Sequence, residues 1–400
     1  LTGLCCWRTP LRAQHLHLAY NESAGKPNEE KKMDIRDRKL AQLITQYSIG
    51  VKPGDRVVIR AGVQAEPLLK ELYRCILEAG AHPTLWPELG WPEELLFNLG
   101  SDEQISYIHK TTALYYEEYD CLIRVLSEQN TKHLNGVDPR KFARFTQSRG
   151  KLMNTYMDRA ASGAFRWALT LYPTNAYAQD ADMSLDDYAD FVYRACMPDM
   201  EDPVGYWRGV SAQQARIVDW LKGKKKVHLL GKDTDLRLSI EGRTFINCDC
   251  RVNIPDGEIF TGPVEDSMEG HVTFSYPTIY NGREVTGVYL EFEKGRVVKA
   301  SAQKNEEFLL STLDTDAGAR GVGEFAIGTN VGIQQFTRQI LFDEKIGGSY
   351  HMALGKGYPE SGSVAQSAIH WDMICDLRDG GQIWVDDHLL YENGRFVIEG

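Results

Sequence analysis

Near residue 225 the chain changes the kind of structure its sequence can support, and this change limits the fold more than any single motif. Before it, short apolar runs alternate with helix-period runs. "GDRVVIRAG" reads as a strand ending in glycine. "QAEPLLKELYRCILEAGA" carries apolar residues at 68, 69, 72, 73, 76 and 77, which is one face of a helix, and "HPTLWP" is a second strand. Strand, helix and strand in that order predict a βαβ unit and a parallel sheet, because parallel neighbours need a crossover. "YDCLIRVLSE" and "FRWALTLYP" read as further strands, separated by a helical run over 138–160. "SLDDYADFVYRACM" starts at an N-cap serine with an aspartate three residues on, and "SAQQARIVDWLKG" reads as another helix, closed by Gly223.

Beyond residue 225 the segments "KVHLLG", "DLRLSIEG", "HVTFSYP", "REVTGVYLEFEKGRVVKAS" and "QIWVDDHLLYENGRFVIEG" are β-rich. Gly-Lys-Asp, Glu-Gly-Arg, Asn-Gly-Arg, Glu-Lys-Gly and Glu-Asn-Gly stand at their joints, the residues that hairpin turns need. One helix, roughly 304–316, interrupts them. The expected fold is therefore α/β: an N-terminal α/β domain with a parallel sheet, over 33–224, and a β-rich α+β domain over 225–400. Residues 1–32 lack a starting Met, a helix or strand period, and the apolar core of a signal peptide, whereas an amphipathic pattern starts at once after Met33. They are expected to be a disordered or adventitious extension, in which the His15-x-His17 pair carries little weight.

Charge and cysteine usage narrow the function. A net charge of −11 argues against a nucleic-acid backbone as partner, and no apolar run approaches the length of a membrane span. The eight cysteines form no disulfide framework, which points to a reduced, cytoplasmic compartment. Cys248 and Cys250 read as neighbours on one strand face rather than a zinc site, since no second pair follows. "VVIRAGVQAEP" follows the first strand but lacks both GxGxxG and GxxxxGK[ST], so the α/β domain has no phosphate cradle.

The polar residues that fit their surroundings worst lie in the second half. Glu258 stands between glycine and apolar residues in "NIPDGEIFTGP", and Glu324 lies in "GARGVGEFAIGTN" among Gly321, Gly323 and Gly328. Glu344, His351 and Tyr358 share "LFDEKIGGSYHMALGKGYPE", and His370 and Asp372 sit in "SAIHWDMICDL". Burying carboxylates in apolar strands is costly unless they are paired or bound to metal. Any one of these residues has an ordinary reading as a solvated turn or a satisfied core group. Three Glu, two His and one Asp within 115 residues nevertheless make a carboxylate-rich N/O donor set, suited to one or two divalent ions such as zinc, cobalt or manganese. In a strand, His370 and Asp372 project from one face while Ile369, Trp371 and Met373 face the core.

"NIPDGEIFTGP", "GARGVGEFAIGTN", "DEKIGGSYHMALGKGY" and "HWDMICDLRDGGQIWVDD" resemble the signature segments of the M29 aminopeptidases, the thermophilic aminopeptidase family, in the right order. The first half, "VKPGDRVVIRAGVQAEPLLKELYRCILEAGAHP", resembles that family's N-terminal domain. The resemblance implies a homodimeric two-metal exopeptidase that removes N-terminal residues from peptides, with its site in 225–400. It implies Glu258, Glu324, Glu344, His351, His370 and Asp372 as metal ligands, and Tyr358 as an active-site tyrosine that donates to the oxyanion. Glu324 would bridge the metals or serve as the base. In some members the Glu of the third segment lies nearer its His than the seven residues found here, a departure that bears on Glu344.

Two other readings compete. Ring-cleaving dioxygenases acting on dihydroxypyridines resemble this family, and His351, His370 and Asp372 would suit their single Fe(II). Against this, Glu258, Glu324 and Glu344 supply more acid than one ferrous ion needs. A catalytically silent, peptide-binding member would have lost a ligand, and none is lost.

Overall fold

The alternating first half supplies four strands of a five-stranded parallel sheet, in the order His82–Glu88, Arg56–Gly62, Cys121–Leu126 and Arg166–Leu171, and Asn253–Ile254 from the second half adds the fifth at the edge. The computed structural model describes residues 34–398, so the expectations for 1–32 lie outside the described residues. Both faces of this sheet are covered, as a parallel sheet requires. Val57, Ile59 and Ile123 enter a core lined by the helices Glu66–Glu78 and Leu185–Cys196, while Val58 and Leu122 pack with Tyr115 and Phe165 on the other side. Ser184 caps Leu185–Cys196 by accepting from the Asp187 N–H at 3.1 Å.

The second half is antiparallel. An eight-stranded sheet runs from Arg296–Ser301 at one edge to Arg395–Phe396 at the other. A five-stranded sheet has the order His370–Asp376, Ser349–Gly355, Val322–Gly328, Glu258–Thr261 and Ile246–Cys248. The two share one apolar core, in which Leu229, Leu236, Val272 and Leu290 meet Phe325, Ile327, Met352, Trp371 and Met373. The architecture is thus mixed α/β, with a parallel sheet and a large antiparallel sheet. No helix among the described residues is long and apolar enough to cross a membrane.

Several local elements differ from the sequence reading. The run over 138–160 is two helices, Pro139–Ser148 and Gly150–Ala161, because Gly150 weakens the helix at its middle. "SAQQARIVDWLKG" is the end of a longer helix, Pro203–Leu221, which places Trp207 in the first core and Ile217 and Leu221 in the second. Cys248 ends a strand, but Cys250 has φ +72° and lies beyond it, so the two do not share a strand face.

The five-stranded sheet works by alternation, with one exception that matters. Tyr350, Met352 and Leu354 face the core and His351 faces away; Trp371 and Met373 face the core and His370 and Asp372 face away. In Val322–Gly328 the period-2 pattern would put Val322 and Glu324 on the same face. A β-bulge shifts the register, pairing Val322 with Leu354 but Glu324 with Ala353, so Val322 and Phe325 both point inward and Glu324 outward. Gly323 is the extra residue. A Cβ there would lie 2.2 Å from the Lys356 carbonyl oxygen and 2.6 Å from the Gly357 nitrogen. Gly323→Ala should therefore cost about 1–3 kcal/mol of stability and weaken metal binding with it. Urea unfolding of the two proteins checks this, and an unchanged midpoint would show that the bulge tolerates a side chain.

Candidate metal centre

The outward face of that sheet gathers five of the six predicted ligands. Glu258, Glu324, His351, His370 and Asp372 come from four adjacent strands, so backbone hydrogen bonds set their spacing. Gly257, at φ +112°, turns the chain into Glu258, and a Cβ on it would stand 2.9 Å from the Asn330 Cβ. Thr278 pins the far edge: its hydroxyl donates to the Asp372 carbonyl at 2.7 Å and accepts from the Trp371 indole N–H at 2.6 Å.

Both imidazoles are oriented from behind. His351 Nδ1 donates to the Glu344 carbonyl and His370 Nδ1 to the Lys356 carbonyl, each at 2.8 Å. This leaves each Nε2 facing carboxylates, where it becomes a lone-pair donor once its proton is displaced. His351 Nε2 lies 3.6 Å from Glu258 Oε2 and 3.5 Å from Glu324 Oε1. His370 Nε2 lies 3.5 Å from Glu324 Oε2 and 3.4 Å from Asp372 Oδ1. These separations are long for N–H···O bonds. They match the edge of a tetrahedron around a zinc-sized ion, where donors at about 2.1 Å from the centre stand about 3.4 Å apart. Glu258 Oε2 and Asp372 Oδ1 are buried with no hydrogen-bond partner. The orphaned carboxylate oxygens and the imidazole nitrogens fit divalent metal, and Glu324, His351 and Asp372 bring donor atoms within 4.8 Å of one another.

Exposure falls along the row. His351 and Lys345 are fully enclosed, Glu258 and Glu324 nearly so, and Asp372 and His370 are partly open. Tyr358 stands at the open rim, 40% exposed, with its ring edge-on to His370 and to Phe260. Partial burial and then the surrounding carboxylates, Glu324 and Asp372 foremost, raise its phenol, which keeps it protonated as a donor. The sixth predicted ligand is placed differently. The Glu344 carboxylate contacts the ammonium of Lys345, which also lies 3.7 Å from Glu258 Oε1.

Sequence reasoning missed Lys345, which in "FDEK" has the look of a solvated turn residue, and no local signal marks it as enclosed. It also missed Asp256, whose carboxylate accepts from the Cys250 N–H at 3.0 Å and which joins Cys248 and Glu258 in a second possible donor group. Burial pushes Asp256 up to about 7.

With this geometry in place, comparison with known proteins gives the chain a family. A model of the thermophilic metalloproteases (M29) matches residues 33–396. The chain belongs to the M29 family. Among curated relatives, it is 29% identical to Aminopeptidase 2 of Geobacillus stearothermophilus, covering 88% of this chain and 93% of that one. It is 25% identical to Aminopeptidase T of Thermus thermophilus, covering 81% and 85%. The solved structure of wild-type AmpT from Thermus thermophilus superposes with a TM-score of 0.79 over 91% of this chain and 99% of that one, at 22% identity, which shows a common fold. Membership of M29 makes this chain a metallopeptidase-family hydrolase that uses divalent metal.

The site's protonation yields a test. Burial raises the Glu258 carboxyl to about 8. Burial opposes the charged form of both imidazoles, but Glu324 and Glu258 outweigh it at His351, raising it to about 9, and Asp372 and Glu324 outweigh it at His370, raising it to about 10. Without metal these groups hold protons at neutral pH, and an ion must displace them. Zinc uptake at pH 7 should release protons, and affinity should climb as pH rises from 6 to 8. Calorimetry in two buffers of different ionisation enthalpy measures this; uptake without proton release would mean the ion binds elsewhere.

Proposed function

We propose that the chain is a two-metal aminopeptidase, removing N-terminal residues from peptides with a free amino terminus. The observation that carries this reading is Glu324, nearly buried, with each carboxylate oxygen 3.5 Å from a different imidazole. In this proposal Glu258, His351 and Glu324 hold one ion, and Glu324, His370 and Asp372 the other. Zinc, cobalt and manganese all suit the donors. When bound, the ions lower the pKa of water and polarise a carbonyl. Because both Glu324 oxygens are turned toward imidazoles, the geometry favours a bridging role over that of a free base.

The chain's other residues then have tasks. The partly open His370 end is where a peptide arrives. Tyr358, at that rim, donates to the oxyanion as the carbonyl becomes tetrahedral. All the proposed ligands lie in 225–400, assigned as the catalytic domain, with 33–224 as the N-terminal domain. The homodimer is carried by the family resemblance, and a cytoplasmic site by six free cysteines among the described residues. The single-iron dioxygenase reading has no support from the family match or the curated relatives, which are named as peptidases.

Chelator-treated protein refilled with cobalt or zinc should contain two ions per chain and hydrolyse leucine p-nitroanilide. One iron per chain and no hydrolysis would replace this reading with the dioxygenase. Glu324→Gln should lower kcat by at least about 100-fold with the unfolding midpoint preserved; near-normal turnover would remove Glu324 from the centre.

A further inference from the structure

The parallel sheet contains a topological switch that the metal centre does not use. The chain leaves Arg56–Gly62 for His82–Glu88 on one side of it, then crosses to Cys121–Leu126 on the other. In open parallel sheets, the crevice beyond the carboxyl ends of two such strands is where small ligands sit. Here a crevice of about 560 Å³ lies at that place, with Gly62, Glu88 and Ser127 at the strand ends in its lining. The Gly62 N–H donates to the Ser127 hydroxyl at 2.8 Å, which ties two of those ends together.

Parallel register sets Trp86, Arg60 and Arg124 side by side on neighbouring strands, and all three line the crevice. Adjacent guanidiniums repel unless anions offset them. Arg60 pairs with Glu88 and donates to the Tyr115 hydroxyl at 2.8 Å, yet its Nε is buried with no hydrogen-bond partner. Arg124 is exposed and has no ion pair among the described residues. The segment after Cys121–Leu126 adds two acceptors, because Glu128 Oε2 and His133 Nε2 are also buried without a partner. His133 Nδ1 donates to the Asn130 carbonyl at 2.8 Å, so Nε2 carries the lone pair when the ring is neutral. The Thr174 hydroxyl donates to the Glu128 carbonyl at 2.7 Å and holds that residue in place. Unpartnered buried polar atoms are costly, and three of them in one crevice mark a place that a polar ligand would satisfy.

Charge narrows the class of ligand. Glu88, Glu93, Glu94 and Glu128 outnumber the two arginines in the lining. The helix Glu66–Glu78, which follows the first of these strands, opens with Glu66 and Pro67, so its N-terminus presents a negative charge and lacks an N–H. Both features repel phosphate. Donors on the strands and acceptors in the following loop suit a ligand with one carboxylate and one ammonium. Trp86 and Trp91, the latter 60% exposed, suit an apolar side chain.

We propose that this crevice binds a free α-amino acid, with its carboxylate on Arg124 and Arg60 Nε, its ammonium on Glu128 and His133, and its side chain against Trp86 and Trp91. The site uses no residue of the metal centre, and the proposal does not rest on the peptidase reading. The test is calorimetric binding of L-leucine to the metal-loaded full chain, in wild type, Arg124→Met and Glu128→Gln. Isoamylamine, which lacks the carboxylate, and isocaproate, which lacks the ammonium, serve as single-charge analogues. Each substitution should weaken leucine about 10–100-fold, as losing a charged hydrogen-bond partner does, with zinc content and unfolding midpoint unchanged. Each analogue should bind wild type more weakly than leucine by a similar factor. A leucine held at the metal centre would survive both substitutions, so equal binding by all three proteins would overturn the proposal, as would no binding to wild type. Isocaproate binding as tightly as leucine, or inorganic phosphate displacing leucine, would make the crevice an anion site and overturn it too.

Discussion

Glu324 is a carboxylate held at 4% exposure between two imidazoles, and the cost of keeping it there explains much of the surrounding structure. Burial raises its pKa, and the two imidazoles oppose that rise. Around it the sheet places two imidazole Nε2 atoms, two orphaned carboxylate oxygens, and Nδ1 protons tied to backbone carbonyls. Without metal, protons on Glu258 and the two imidazoles balance this face; a bound cation would take their place.

The row depends on a sheet that separates its two faces. Inward residues, Trp371 and Met373 among them, lock the strands to the eight-stranded sheet through a common apolar core. The outward residues inherit that rigidity, because neighbouring strands fix the spacing of these side chains through their ladders. Gly323 is the weak point of the scheme and also its enabling feature. Its bulge brings Glu324 to the outward face beside His351 while Val322 and Phe325 stay in the core. Enclosure increases from His370 to Lys345, so the row is open to solvent at one end and closed at the other.

Much of this was legible in the sequence, for definite reasons. The hairpin joints at Asn281-Gly282, Lys294-Gly295 and Asn393-Gly394 do turn antiparallel pairs, with all six residues at positive φ. His370 and Asp372 share a face because strand alternation requires it. The carboxylates stood out because their neighbours were glycine and apolar residues. Other features depend on tertiary contacts that local pattern does not encode. The two-residue strand Asn253–Ile254 pairs with Arg166–Leu171 across a long stretch of sequence. The bulge at Gly323 is a register shift that a period-2 reading cannot detect. Lys345 is a residue type seldom enclosed, and only the folded arrangement of Glu258 and Glu344 explains its position.

The most direct test of a carboxylate shared between two cations is anomalous diffraction from zinc-loaded crystals. Two peaks are expected, one between Glu258 and His351 and one between His370 and Asp372, with Glu324 giving an oxygen to each. A single peak, or two peaks that do not share Glu324, would contradict it.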